Sequence, residues 1–129
     1  ARLRSLGYNL VGDNSGCVFN PANGDQFGTS TQPLDPLLDS LEDNGGPTLT
    51  HALLKGSPAI DAGNPFRCAD RVGDTLTTDQ RGAPRAVDGS DTGRAICDIG
   101  AYEFEANVPT PTPAATLTRT ATPVRTPTP

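Results

Sequence analysis

No apolar run in this chain goes far before a turn-forming residue stops it. Residues 6–11 lead into GDNSG, 48–54 into KGS and 59–60 into DAGN, and one further apolar stretch covers 96–104. A helix needs a sustained repeat of about 3.6 residues, and residues 1–105 offer none. One short helix around residues 37–41 is expected and nothing longer. Short strands with closely spaced turns predict an all-β architecture. The chain has 14 Gly and 13 Pro, no Met and no Trp. That composition supplies turns freely and large core side chains sparingly. Turn spacing is irregular, with Pro-marked loops at 20–36 and 65–87. A sandwich would show cleaner two-residue alternation. A coil of parallel strands, adding one rung per turn, absorbs such irregularity because its loops bulge out between rungs.

Composition breaks at residue 106. Residues 1–105 read as the folded part, and residues 106–129 as an extended Thr/Pro-rich stalk or linker, NVPTPTPAATLTRTATPVRTPTP after Ala106. Proline lacks the backbone donor and fixes φ, so neither helix nor central strand suits this segment, and an extended polyproline-like form does. Thr and Pro together also suit O-glycosylation, with Thr110, Thr112, Thr116, Thr118, Thr120, Thr122, Thr126 and Thr128 as acceptors. N-linked glycans are not expected, because no Asn-X-Ser/Thr sequon occurs.

All 15 acidic residues lie at or before Glu105, whereas Arg119 and Arg125 lie beyond it. An acidic folded part argues against nucleic acid as a partner, since phosphate binding needs a basic face. No apolar run approaches the roughly 18–20 residues that span a bilayer. The chain opens at Ala1 without a charged n-region and apolar h-region, and so reads as a processed or truncated piece of something longer. The three cysteines, Cys17, Cys68 and Cys97, form no C-x-x-C pair, and one histidine is too few for a common zinc set. In a loop-rich chain of exported type a Cys68–Cys97 disulfide competes with free thiols, and Cys17 is left over.

Four stretches invite a chemical reading. In NGGPTLTHALLKGSPAIDAGNP, residues 44–65, strand alternation puts His51 on one face with Leu49 and Leu53. That predicts a hydrogen-bonded histidine of the strand stack and not a general base, which would need a nucleophile or water site in reach. Asp61 is expected to cap its own Ala62, Gly63 and Asn64 turn. In DQRG, residues 79–82, paired-carboxylate hydrolysis competes with an Arg81 fork tying a loop to a carboxylate or to carbonyls. In DGSDTG, residues 88–93, Asp88 and Asp91 resemble half of a calcium loop, with Asp70 and Asp74 as further oxygen donors. The EF-hand pattern and its terminal Glu are absent, so no cofactor is expected beyond that weak calcium candidate. DIGAYEF, residues 98–104, alternates as a final strand. Ile99, Ala101 and Phe104 are expected inward, and Asp98, Gly100 and Glu103 outward. Glu103 and Glu105 would then guard the edge against further strands.

Taken in order, SLGYNLVGD, PLDPLLDSLEDNGGPTLTHALLKGSPAIDAGN, TTDQRGAPRAVDG and CDIGAYEF resemble the C-terminal part of bacterial right-handed parallel β-helix surface proteins. These are of the choice-of-anchor type, related to polymorphic outer-membrane-protein-like repeats. The resemblance spans roughly residues 5–104. It implies the terminal rungs of a right-handed parallel β-helix outside the cell or on its surface, followed by the Thr/Pro tail. It also implies a Cys68–Cys97 pairing, because family members often carry cysteines at those two places. The preceding rungs and the anchor are the parts of the pattern not seen here. The expected function is a non-catalytic structural subunit of an extracellular filament. Its partners would be copies of itself, and its tail would carry covalent O-glycans. An open first rung and an extended tail are unlike surfaces, and a contact between unlike surfaces propagates. The alternative is a carbohydrate-binding or polysaccharide-degrading β-helix module, which would show Tyr8, Phe19, Phe27, Phe66 and Tyr102 along an outer groove.

Overall fold

The computed structural model describes residues 2–16, 18–70 and 72–106. They form an all-β structure of six short strands without a helix: β1 (Arg2–Arg4), β2 (Leu10–Val11), β3 (Val18–Asn20), β4 (Gln26–Phe27), β5 (Leu38–Glu42) and β6 (Thr50–Leu53). The strands form three two-stranded sheets, β1 with β3, β2 with β4 and β5 with β6.

The first two sheets are parallel. Arg2 lies opposite Val18 and Leu10 opposite Gln26, the same offset in both. The Asn9 N–H reaches the Asp25 carboxylate across the same 16 residues. The chain has therefore made one turn and returned alongside itself. Tight turns make this return short. Gly7 and Gly24 adopt left-handed φ values of 102° and 75°, which only glycine takes without penalty. Single hydrogen bonds tie later segments to these turns and to one another. The Gln26 side chain donates to Pro58 O at 2.7 Å. Ile99 N–H donates to Ala59 O at 2.9 Å, and Gly63 N–H to Cys97 O at 2.8 Å. Segments around residues 10, 26, 58 and 98 are thus linked one to the next.

Two expectations fail in the middle of the chain. The short helix expected around residues 37–41 is strand β5. Leu37 takes a left-handed φ of 49°, which no α-helix accommodates, and its carbonyl accepts the Leu54 N–H. A neighbouring strand has captured hydrogen bonds that a helix would have made internally. The strands are also not all parallel. β5 and β6 are antiparallel, with an irregularity between Leu38 and Leu41, and antiparallel bridges join Ala69 to Thr75 and Thr78 to Pro84.

The interior is small and polar. Leu53, Ala59 and Cys97 are its buried hydrophobic side chains, alongside Thr50, Ser57, Asp79, Asp98 and Glu103. In β6, Thr50 and Leu53 are buried while His51 and Leu49 are exposed. The irregularity lies in β5, whereas β6 is regular, so His51 and Leu53 keep the spacing of one strand face and differ in how far that face is covered. His51 is nonetheless hydrogen-bonded, Nδ1 lying 2.7 Å from Asp39 O.

Gly28 shows how tightly the first turn meets the next. A β-carbon there would collide with Leu34 N and Gly12 O and lie 2.7 Å from Gln32 O. All three are backbone atoms and cannot rotate away. Gly28→Ala is expected to cost at least ~2 kcal/mol in urea denaturation, at the upper part of the usual overpacking range. Gly45→Ala, where φ is 92° but nothing lies within 4 Å, is expected to cost only ~1 kcal/mol from backbone strain.

Candidate functional site

Asp79, Arg81, Asp98 and Glu103, among the residues that sequence reasoning singled out, are brought together. Asp79 is at the centre. Its Oδ1 accepts the backbone N–H of Arg81 at 2.8 Å and of Ala83 at 3.1 Å. Its Oδ2 accepts Arg81 Nε at 2.9 Å and the Glu103 N–H at 3.1 Å. The short-range bonds close the loop on itself, as an aspartate at the head of a turn does. The Glu103 bond ties that loop to the last described segment. Arg81 completes the tie. Its Nη2 lies 2.7 Å from Asp79 Oδ2 and donates to Glu103 O at 2.9 Å. Its guanidinium sits 3.6 Å from the Tyr102 ring centroid, a cation–π stack. The arginine fork expected as the alternative to hydrolysis is the arrangement present. Burial acts to raise the Asp79 carboxyl, but the Glu103 and Arg81 donors outweigh it and hold it below the usual carboxylate range.

Residues 97–104 are not a strand, and the expected alternation is overturned. Asp98 is 3% exposed and Glu103 0%, whereas Ala101 is exposed. Gly100, at φ 115°, bends the segment and carries both carboxylates inward. There they satisfy backbone donors that a small apolar core leaves unpaired. Asp98 Oδ1 accepts the Asp61 N–H at 2.7 Å, and Oδ2 accepts the Phe104 N–H at 2.5 Å. Glu103 Oε1 accepts the Asp98 N–H at 3.1 Å and lies 3.7 Å from Arg85 Nη1. Glu103 consequently cannot guard an outer edge. Burial pushes its carboxyl up to about 7, with the neighbouring Asp98 adding to the rise and Arg85 opposing it. Burial likewise raises Asp98 to about 6, against the donors from Asp61 and Phe104. Two carboxyls this close titrate as a pair.

Asp61 does not cap its own turn. Its Oδ1 accepts the Gly89 N–H at 3.2 Å, and its Oδ2 accepts the Ser90 N–H at 2.8 Å and the Ser90 hydroxyl. It faces the 88–93 turn because its backbone takes a left-handed φ of 50°, which swings the carboxylate away from residues 62–64. Asp88 is engaged within that turn, accepting from Thr92 N at 2.9 Å and Gly93 N at 2.6 Å. Asp70 does the same for the N–H groups of Val72, Gly73 and Asp74. The candidate calcium donors Asp88 and Asp91, with Asp70 and Asp74, are not gathered. Among the described residues no group of three or more His, Cys, Asp or Glu side chains could hold a metal ion.

Cys68 and Cys97 are bonded, with Cα atoms 5.9 Å apart. The bridge anchors the 65–87 excursion to the segment carrying Asp98. Cys17 and the candidate glycosylation threonines, Thr110 to Thr128, lie outside the described residues. The aromatic side chains are dispersed. Tyr8 packs against Gly24, Phe19 meets Phe27 edge-to-face at 5.6 Å, Tyr102 lies under Arg81 and Phe66 is 89% exposed. Two residues that the motifs did not flag matter here. Arg85 donates to Gly100 O at 2.6 Å beside Glu103, and Asp25 holds the first turn through Asn9 and Ala22. APR after DQRG was the available signal for Arg85.

The described residues thus define an all-β chain of short strands in small sheets, closed by a knot of carboxylates, arginines and one disulfide. No protein-family model matches the chain, and no curated protein or solved structure matches it either. Among the described residues no helix is long and apolar enough to cross a membrane.

Asp79→Asn keeps the shape but turns an acceptor into a donor facing Arg81 Nε and the Glu103 N–H. Breaking a buried pair this way is expected to cost ~3 kcal/mol in urea denaturation. Because the Asp79 pKa is lowered on folding, its contribution is present above the ordinary carboxylate pKa and fades as pH falls below it. Reducing the disulfide, whose ends lie 29 residues apart, is expected to cost ~3 kcal/mol. A thermal melt with and without dithiothreitol reads that loss.

Proposed function

We propose that this chain is a non-catalytic structural module, secreted or displayed at a cell surface, built from the closing turns of a right-handed parallel β-helix that pack end to end with further copies. One observation carries the non-catalytic part. Asp61, Asp79, Asp98 and Asp88 each have both carboxylate oxygens engaged by N–H donors of the fold. An acid–base pair for hydrolysis needs carboxyls flanking an open substrate site, and these face inward or into their own turns. The β-helix reading draws support from the shared offset of the two parallel pairs and from the hydrogen bonds that tie later segments to them and to one another. End-to-end packing draws support from the apolar side chains displayed on the first turn. Leu6 is 80% exposed and Leu3 and Val18 about half, and β1 and β2 each have one sheet partner. A free strand edge with apolar neighbours is a template for another chain. Residues 106–129, read from their Thr/Pro composition as a carrier of O-glycans, suit the same setting.

The test compares the full chain with one truncated after Glu105, using negative-stain microscopy and light scattering across concentration, beside depolymerisation assays on a panel of polysaccharides. Concentration-dependent elongated assemblies without sugar release are expected. Persistent monomers at high concentration would remove end-to-end packing from the proposal. Release of reducing ends that Asp79→Asn abolishes without unfolding the chain would replace it with the carbohydrate-cleaving alternative.

A further inference from the structure

The buried charges at the closing end do not balance. Asp79, Asp98 and Glu103 bring three carboxyls inside, and the cations packed with them are Arg81 and Arg85. Arg81 is committed to Asp79 Oδ2 and Glu103 O. Arg85 Nη2 donates to Gly100 O, leaving a single long approach to Glu103. Asp61 sits beyond Asp98 and adds negative charge to that side, engaged with Gly89 and Ser90. The Glu103 side chain is wholly enclosed, and its Oε2 has no hydrogen-bond partner. The Asp98 N–H, the Val87 backbone and the distant Arg85 oppose the cost of a charge in that position but do not outweigh burial and the neighbouring Asp98. A proton on the Asp98 and Glu103 pair removes the excess charge.

We propose that Glu103 is the proton-operated latch of residues 98–105: protonated, it holds this segment against the 79–85 loop, and ionised, it draws in water and releases the segment. The disulfide decides how far release goes. Cys97 stays tethered to Cys68, so the chain pivots just beyond it. Bonds between this segment and the rest are lost together, among them Glu103 N–H to Asp79, Arg81 to Glu103 O, Arg85 to Gly100 O, Gln80 N–H to Ala101 O and Ile99 N–H to Ala59 O. The last of these uncovers the backbone edge at Ala59. The direction follows from linkage. A carboxyl raised from 4.5 to about 7 on folding stabilises the closed form fully below the lower value, and that stabilisation is lost as pH rises through the upper one. Asp79 acts in the opposite sense but below the ordinary carboxylate range, outside this window. This inference stands apart from end-to-end packing and holds for a monomer.

Amide hydrogen exchange on the full chain between pH 5 and pH 8, expressed as protection factors, tests it. Protection at Ile99, Glu103 and Gln80, whose N–H groups bridge the segment to its surroundings, is expected to fall on the order of a hundredfold, since each unit of pKa shift is tenfold in the opening equilibrium. Gly28 and Leu34, in the first turn, should not change. Glu103→Gln should abolish the dependence above about pH 6, leaving below it only what the raised Asp98 contributes, and His51→Gln, which removes the chain's one histidine, should preserve the whole of it. If Glu103→Gln fails to fold, the carboxyl carbon resonance of Glu103 in the unaltered chain decides. A midpoint near 7 supports the latch, and one between 4 and 5 overturns it. Equal loss of protection at Gly28 and Glu103, or none at either, overturns it as well.

Discussion

Buried carboxylates accepting backbone N–H bonds are what the rest of this structure depends on. A chain with so few large apolar residues cannot close a broad hydrophobic interior, and its loops leave many N–H groups without sheet partners. Each buried, unpaired donor costs about 1–3 kcal/mol. Asp79, Asp98 and Asp61 meet that demand in a way leucine could not, because one carboxylate takes up several donors from segments far apart in sequence. The Asp61 N–H is held by Asp98 over 37 residues, and the Glu103 N–H by Asp79 over 24. Those links, with the disulfide, tie the 57–63 segment, the 65–87 excursion and the closing segment into one body.

The arrangement carries its own instability. Charged acceptors bond backbone donors more strongly than neutral ones, but burying three of them against two arginines leaves charge uncompensated. Asp79 resolves this through Arg81 and stays ionised with ease. Asp98 and Glu103 share Arg85, whose main commitment is to a carbonyl, and both are pushed upward. The same feature that replaces a hydrophobic core therefore makes one end of the molecule sensitive to protons. The other end is held by a glycine that brings backbone within contact of backbone.

The readings that failed did so for one reason. Asp61, Asp98 and Glu103 were placed by local alternation or local turn logic, and each was misplaced where the backbone leaves that logic. Left-handed residues did most of this. Leu37 at φ 49°, Asp61 at φ 50° and Gly100 at φ 115° each redirect the side chains that follow or belong to them. A period of two carries across a regular strand but not across such a residue. Readings resting on chemistry fared better. The Arg81 fork depends on what a side chain can bind, and that survives a change of direction; the Cys68–Cys97 bridge, which the family resemblance implied, is present as well.

The sequence by itself determined that this chain is all-β, made of short strands and many turns, because turn formers interrupt every apolar stretch before a helix can propagate. It offered an Arg81 fork tying a loop to a carboxylate or to carbonyls as one of two readings of residues 79–82, since a planar five-donor fork suits such acceptors. Tertiary structure alone decided that β5 pairs antiparallel with β6, that Asp61 serves a turn 28 residues away, and that Glu103 is enclosed without a partner for one of its oxygens. Those outcomes depend on which segments come to lie side by side. Non-local pairing follows from the whole set of loop lengths and left-handed bends acting together, and no window of neighbouring residues contains it.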